Sequence, residues 1–153
     1  MRTIEDIILE NDLRGIAALR SYLRKDYCSQ AAAFILDKPG LTFITTGFYI
    51  ASTGSPETDG PPGAVAIGNA LTTLGREVVY VTDHHTIPIL SPFIGSCYVE
   101  DFPIEDHEQS KRFAEYLISK YKPGLIISIE RCGMTKHGQY LNMRGVDISE
   151  NTA

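Results

Sequence analysis

The chain has 153 residues, a length that suits one domain or part of one, and 43% of them are apolar and 22% charged, as in an ordinary globular protein. Its net charge of -5 argues against nucleic-acid binding, which needs clustered lysine and arginine side chains. No apolar run approaches the roughly 20 residues that span a bilayer, so no membrane association is expected. Three widely spaced cysteines and an acid-containing N-terminus predict a cytoplasmic protein with reduced thiols.

The first forty residues are predicted to be helical. Apolar residues recur at helical spacing in residues 4–8, 13–23 and 31–35. Pro39 and Gly40 are expected to end the last of these helices, because proline and glycine commonly interrupt helices.

After residue 40 the pattern changes to short buried strands separated by helices. Runs of β-branched and aromatic residues predict strands at residues 41–46, 77–83, 97–102 and 125–130. Alternation of strands with helices is typical of a parallel sheet that carries helices on both faces. The sequence therefore predicts an α/β fold, Rossmann-like and three-layered, with N-terminal helices.

Two helices are predicted between these strands. The first begins near Pro61 and Pro62 and ends before Gly75, the usual arrangement of proline first and glycine last. The second covers residues 105–121. The apolar face of the first helix is expected to contain Ala64, Ile67, Leu71 and Leu74.

Polar residues follow the predicted strands at the points where each strand ends. Ligands of open parallel sheets bind outside the carboxyl ends of the strands. The loop of residues 47–63 is expected to hang over the same edge. The residues predicted to gather there are Thr45, Thr46, Gly47, Thr82, Asp83, Glu130 and Arg131.

The loop contains an unusual acidic stretch, ETDGPPGA, at residues 57–64. Gly60 and Gly63 allow close approach of the backbone, and the following helix start suits an anionic ligand. The simpler alternative is that Asp59 only caps the helix, which leaves Glu57 unexplained. The stretch has neither glycine-rich nucleotide signature, so a nucleotide site is weakly supported.

Two other site chemistries remain open at this edge. Asp83, His84 and His85 offer metal-binding side chains without metal-site spacing, and Cys132 offers a thiol that is more typical of a small filler residue. No cofactor is predicted. The alternative is a Mg²⁺ or Mn²⁺ ion held by Glu57, Asp59 and Asp83.

The segment after the last strand, residues 130–149, is rich in glycine and in charges of both signs. Such a loop at a strand exit is a plausible binding surface, and Arg144 offers a planar fork for a carboxylate. The alternative is a solvated loop with incidental ion pairs.

Four blocks together resemble a known family. They are TGF at residues 46–48, ETDGPPGA at 57–64, LG with VVYVTD at 74–83, and ER followed by GQYLNMRGVDIS at 130–149. In this order they are similar to the signature blocks of the D-glutamate cyclase C-terminal domain family. The resemblance implies a lyase that closes D-glutamate to 5-oxo-D-proline with loss of water. It also implies that residues 1–153 form one α/β domain, the N-terminal part of a longer family domain.

Cyclisation needs an acid, a base and groups that hold two carboxylates. Under this resemblance the acid and base are expected among Glu57, Asp59, Asp83 and Glu130. The residues expected to bind the substrate are Thr46, Gly47, Gly60, Gly63, Arg131, Asn142, Arg144 and Asp147.

Two alternatives stay open beside the lyase. One is a non-catalytic ligand-binding module or a subunit of a split enzyme, and the other is an α/β protein that binds a phosphate ligand or a nucleotide. The expected partner is a small amino-acid substrate, with neither nucleic acid nor membrane. An exposed sheet edge would favour a homo-oligomer or a missing C-terminal half.

Overall fold

The structure is a computed structural model that describes residues 2–13 and 15–153. The contacts divide the chain into two compact units, one up to Pro39 and one from Gly40 to Ala153. Among the described residues, no helix combines the length and apolar character that crossing a lipid bilayer requires. The predicted single domain and cytoplasmic location stay predictions.

The first unit contains two short α-helices, α1 (Ile4–Ile8) and α2 (Tyr27–Asp37), with a 3₁₀-helix at Ile16–Tyr22 between them. Thr3 caps α1, because its hydroxyl accepts a hydrogen bond from the backbone N–H of Asp6 at 3.2 Å. The helix predicted at residues 13–23 is wrong in type, because Ile16–Tyr22 is a 3₁₀-helix rather than an α-helix. Arg14 in the predicted range lies outside the described residues.

The second unit contains every strand and the remaining helices of the described chain. The strands are β1 (Thr42–Gly47), β2 (Tyr49–Ile50), β3 (Ser55–Pro56), β4 (Val78–Thr82), β5 (Tyr98–Asp101) and β6 (Leu125–Arg131). The helices are α3 (Gly60–Thr73), α4 (Ile87–Leu90) and α5 (His107–Tyr121), with 3₁₀ turns at Ser91–Phe93 and Ser149–Asn151. The four predicted strands and two predicted helices are confirmed. The β2–β3 hairpin and α4 were not predicted.

The main sheet has four parallel strands in the order β5-β4-β1-β6. Thr42 in β1 lies beside Val78 of β4 on one side and Leu125 of β6 on the other. Each strand is joined to the next main-sheet strand by a connection that contains a helix. The predicted α/β fold class is therefore confirmed.

The helices α3 and α5 cover opposite faces of the sheet. Ile44 of β1 lies on the α3 face, where its Cδ1 is 3.5 Å from the position of a Cβ on Gly68. Phe43, the neighbouring residue, points the other way and packs with Leu117 of α5. Covering both faces explains why β1 and β4 are buried along almost their whole length, with little alternation.

The buried face of α3 includes only two of the four residues predicted to line it. Ala64, Gly68 and Leu71 are buried, whereas Ile67 is half-buried and Leu74 is 62% exposed. Leu74 was wrongly assigned because it lies after the last helical turn, at the C-cap.

The strand β6 forms one edge of the sheet, and its residues alternate between half-buried and exposed. Ile126 in this strand is 53% exposed. The edge therefore carries the exposed apolar surface anticipated from the sequence, while self-association stays a prediction.

Candidate active site

The strand order places the point at which the chain reverses direction across the sheet between β1 and β6. The chain proceeds from β1 to β4 and β5 on one side and then returns to β6 on the other side of β1. A reversal of this kind opens the position where α/β sheets commonly bind ligands. The residues at the ends of the two strands are Thr46, Gly47, Glu130 and Arg131.

A β-bulge at the end of β6 turns Glu130 toward the start of α3. Thr46 pairs with Ile129 and Gly47 with Arg131, so Glu130 is the extra residue. Its φ of 48° lies in the left-handed region, which is unusual for a glutamate. As a result its Cβ lies 2.9 Å from the position that a Cβ on Gly60 would occupy.

The bulge completes a cluster of three carboxylates, formed by Glu57, Asp59 and Glu130. One carboxylate oxygen from each residue lies within 4.8 Å of the other two. Glu57 is half-buried, and Asp59 and Glu130 are exposed. We call this group the acidic cluster. Three like charges at this separation repel one another, so the cluster favours a cationic ligand.

The acidic residues of the ETDGPPGA stretch lie together at the edge of the sheet, as predicted. Asp59 occupies the N-cap position of α3, yet its side chain makes no capping hydrogen bond. Simple capping therefore does not explain this carboxylate. Pro61 and Pro62 remove two N–H donors from the first turn, so this helix start is a poorer anion site than the sequence pattern suggested.

A buried hydroxyl faces the base of the acidic cluster. Thr46 is fully buried, and its Oγ1 has no hydrogen-bond partner among the described residues. Oγ1 of Thr46 and Oε2 of Glu130 lie 3.0 and 3.1 Å from the position of a Cβ on Gly60. Gly60 is therefore needed for space, whereas a Cβ on Gly63 would meet only Ile129 Cγ2 at 3.7 Å.

Asp83 lies in a separate, buried ion pair with Arg131. The two side chains are only 5% and 12% exposed. The other oxygen of Asp83 accepts hydrogen bonds from the backbone N–H groups of His85 and Thr86, at 3.1 and 3.2 Å. Arg131 also donates to the carbonyl oxygen of Ala153 at 2.8 Å. Asp83 is therefore held with Arg131 and does not join Glu57 and Asp59 as the sequence suggested.

Gly47 sits between these groups at the end of β1. Its φ is 118°, and a Cβ there would lie 2.5 Å from Thr86 Oγ1 and 3.1 Å from Arg131 Nη1. The hydroxyl of Thr82, at the end of β4, donates a hydrogen bond to the carbonyl oxygen of Thr46 in β1 at 2.7 Å and so links the two strand ends. Thr86 was missed from the sequence, since a threonine in a loop gives no signal of burial.

The segment after β6 folds back on itself by two isolated β-bridges. Asn142 shapes its turn, because its Oδ1 accepts from the backbone N–H groups of Arg144 and Val146 at 2.9 and 3.0 Å. Asp147 is held by Ser149, and these hydrogen bonds lower the pKa of its carboxyl. Arg144 is exposed. Asn142 and Asp147 thus shape the loop that presents Arg144.

The remaining candidates have environments of a different kind. Burial raises the pKa of the Cys132 thiol, which does not favour a nucleophile. The ring centroids of His84 and His85 lie 4.0 Å apart with the planes tilted by 41°, and the Tyr49 ring lies 4.8 Å from that of His85. Among residues 2–13 and 15–153, neither histidine joins a group of potential metal ligands.

Comparison with known proteins shows the family of the chain. A family model described as "D-glutamate cyclase-like, C-terminal" matches residues 4–153. The human protein "D-glutamate cyclase, mitochondrial" is 29% identical over 163 residues, which cover 97% of this chain. The chain spans 26% of that relative's length. Because the family model covers almost the whole sequence, the chain belongs to the D-glutamate cyclase-like, C-terminal family.

Proposed function

We propose that the chain is a lyase that closes D-glutamate to 5-oxo-D-proline with loss of water. The observation that carries the proposal is the acidic cluster of Glu57, Asp59 and Glu130, in a family described as D-glutamate cyclase-like. The cluster lies at the carboxyl edge of a parallel sheet, where this fold class places its ligands.

The reaction forms one bond and breaks one. The α-nitrogen attacks the γ-carboxyl carbon, a C–N bond forms, and one C–O bond of that carboxyl group breaks. The ammonium group gives up two protons, and the departing oxygen takes up two and leaves as water. The site must therefore move protons from nitrogen to oxygen without any change in redox state.

The acidic cluster supplies the groups for these transfers. One carboxylate accepts a proton from the ammonium, which makes the nitrogen a nucleophile. Another carboxylate of the cluster accepts the second proton once the C–N bond has formed, and both groups return their protons to the departing oxygen, which leaves as water. Positioned acid–base groups of this kind contribute about 10²–10⁴-fold to a rate. Glu57 is the preferred base because it is the least exposed of the three.

The two arginines take different roles in this proposal. Arg131 is engaged by Asp83 and by backbone carbonyls, so it positions Gly47 and the end of β6. Arg144 is exposed on its turn and is the candidate for holding a substrate carboxylate through its planar fork. Asn142 and Asp147 act through the shape of that turn.

The test is incubation of the chain with D-glutamate and detection of 5-oxoproline by proton NMR. L-glutamate serves as the stereochemical control and human D-glutamate cyclase as the positive control. Turnover that falls in Glu57→Gln supports the proposal. Absence of both turnover and binding would contradict the proposed lyase activity. Binding of D-glutamate without turnover would instead indicate a non-catalytic binding role.

A further inference from the structure

We propose that the acidic cluster binds one hard divalent cation, of the Mg²⁺ and Mn²⁺ class, with the Thr46 hydroxyl as an additional oxygen donor. Three carboxylate oxygens within 4.8 Å of one another match the donor set that such ions prefer. An acidic cluster alone does not define an ion site, but this cluster has a second oxygen donor at its base.

That donor is the hydroxyl of Thr46. It is fully buried and has no hydrogen-bond partner among the described residues. A buried hydroxyl without a partner is unfavourable, so native proteins rarely retain one unless a water, an ion or a ligand satisfies it. Oγ1 of Thr46 and Oε2 of Glu130 lie within 3.1 Å of one point, the position of a Cβ on Gly60. The hydroxyl therefore faces the acidic cluster across Gly60.

The donor atoms set the class of the cation. The acidic cluster offers only carboxylate oxygens, and no histidine or cysteine belongs to it. Oxygen donors suit Mg²⁺, Mn²⁺ and Ca²⁺, while Zn²⁺ and copper ions favour imidazole and thiolate donors. One divalent ion leaves the three carboxylates with a single net negative charge, which removes most of their mutual repulsion.

A cation would also reconcile an acidic site with an acidic substrate; this step rests on the proposed function. D-glutamate carries two carboxylates, which three carboxylates alone would repel. A divalent ion held by the acidic cluster would supply a positive charge for one of the substrate carboxylates and Lewis-acid polarisation of the γ-carboxyl group. Cation binding itself does not depend on the proposed reaction.

The experiment is titration of the whole chain with Mn²⁺ by electron paramagnetic resonance, and with Mg²⁺ by calorimetry, both without D-glutamate. We expect one Mn²⁺ per chain. Glu130→Gln should weaken binding at least tenfold, and Glu77→Gln, which removes an exposed charge at the other end of the sheet, should not. Circular dichroism and thermal melting check that each variant folds.

Two further pairs of variants separate the site from general charge. Gly60→Ala places a methyl group between Thr46 and Glu130 and should weaken Mn²⁺ binding at least tenfold. Gly133→Ala is the control, because neither glycine has a left-handed φ and a Cβ on Gly133 meets nothing within 4 Å. Thr46→Val should weaken binding several-fold, while Thr46→Ser should retain it.

Two results would overturn the inference: no binding of Mn²⁺ or Mg²⁺ at millimolar concentration, or binding that Glu130→Gln and Gly60→Ala leave unchanged. Its failure is distinguishable from failure of the proposed function. Stoichiometric Mn²⁺ binding without 5-oxoproline formation supports the ion site and removes the reaction. Turnover unaffected by a chelator, together with no ion binding, removes the ion site and supports the reaction.

Discussion

Glu130 and Arg131 are adjacent in sequence and belong to two regions with opposite electrostatics. Arg131 forms a buried pair with Asp83, in which opposite charges meet and both Asp83 oxygens and both terminal nitrogens of Arg131 have hydrogen-bond partners. Glu130 joins Glu57 and Asp59 in a more exposed group whose members all carry the same charge. One region is satisfied within the protein, and the other favours a cation.

The difference separates structural from functional use of charge at one sheet edge. A buried ion pair is retained only when its geometry and hydrogen bonds offset desolvation, as around Asp83. A cluster of like charges lowers stability, and natural proteins tolerate such a cost mainly where a site needs it. We therefore expect substitutions in the two regions to affect different properties.

The largest expected effect is on stability, from Asp83→Ala. The change leaves Arg131 buried without its partner and should lower the free energy of unfolding by about 3–5 kcal/mol. Urea denaturation measures it. Asp101→Ala, at the exposed end of β5, is the control and should cost less than about 0.5 kcal/mol. A loss below about 1 kcal/mol for Asp83→Ala would show that the pair is not a structural element.

The next effect is on turnover, from Glu57→Gln. The fold should remain and the rate of 5-oxoproline formation should fall on the order of 100-fold, the scale of a general acid or base. The measurement is kcat and KM for D-glutamate. A rise in KM with unchanged kcat would instead indicate that Glu57 only contributes to binding.

A smaller effect, of opposite sign to Asp83→Ala, is expected from Glu130→Gln. Removal of one like charge from the acidic cluster should raise the Tm of the ion-free protein by about 1–3 °C, since repulsion is relieved. Differential scanning calorimetry in the presence of a chelator measures this shift. A lower Tm would mean that Glu130 stabilises the fold, which would break the contrast between the two regions.

The smallest expected effect is on Tm, from Asp106→Ala, which removes an exposed carboxylate whose hydrogen-bond partner is local. Asp106 caps α5, and the backbone N–H of Gln109 holds the pKa of its carboxyl below the usual value. Its stabilisation is therefore full above the unfolded pKa, about 3.9, and is lost as the pH falls through the lower folded value. Asp106→Ala should lower Tm slightly at pH 7, and the difference from the wild type should shrink below about pH 4. A difference independent of pH would contradict the assignment.

Local sequence patterns were sufficient to predict most of the second unit. Strands with buried residues on both faces and a helix between proline and glycine are local signals, so β1, β4 and α3 were predicted close to their observed bounds. Leu74 was misplaced because a 3.6-residue pattern extends past the true end of the helix. The first unit was less predictable, since the apolar spacing of residues 13–23 does not distinguish an α-helix from a 3₁₀-helix.

The sequence predicted which residues lie at the carboxyl edge of the sheet, but not which of their side chains lie next to one another. Parallel strands bring their carboxyl ends together, which is why Asp83, Glu130 and Arg131 were expected at one edge. Regular alternation along β6 would place Glu130 with Ile126, on the face opposite α3. The bulge reverses that direction, and no local pattern in the sequence predicted it. Consequently Glu130 rather than Asp83 joins Glu57 and Asp59.

A crystal structure of the chain soaked with D-glutamate or 5-oxoproline in the presence of Mn²⁺ tests most directly whether the acidic cluster is the ligand site. We expect ligand density at the carboxyl ends of β1 and β6, with the amino nitrogen of D-glutamate, or the ring nitrogen of 5-oxoproline, within hydrogen-bond reach of the acidic cluster. We also expect an anomalous Mn²⁺ peak beside Thr46. Ligand bound elsewhere, with Glu57, Asp59 and Glu130 all facing solvent, would contradict this assignment of the site.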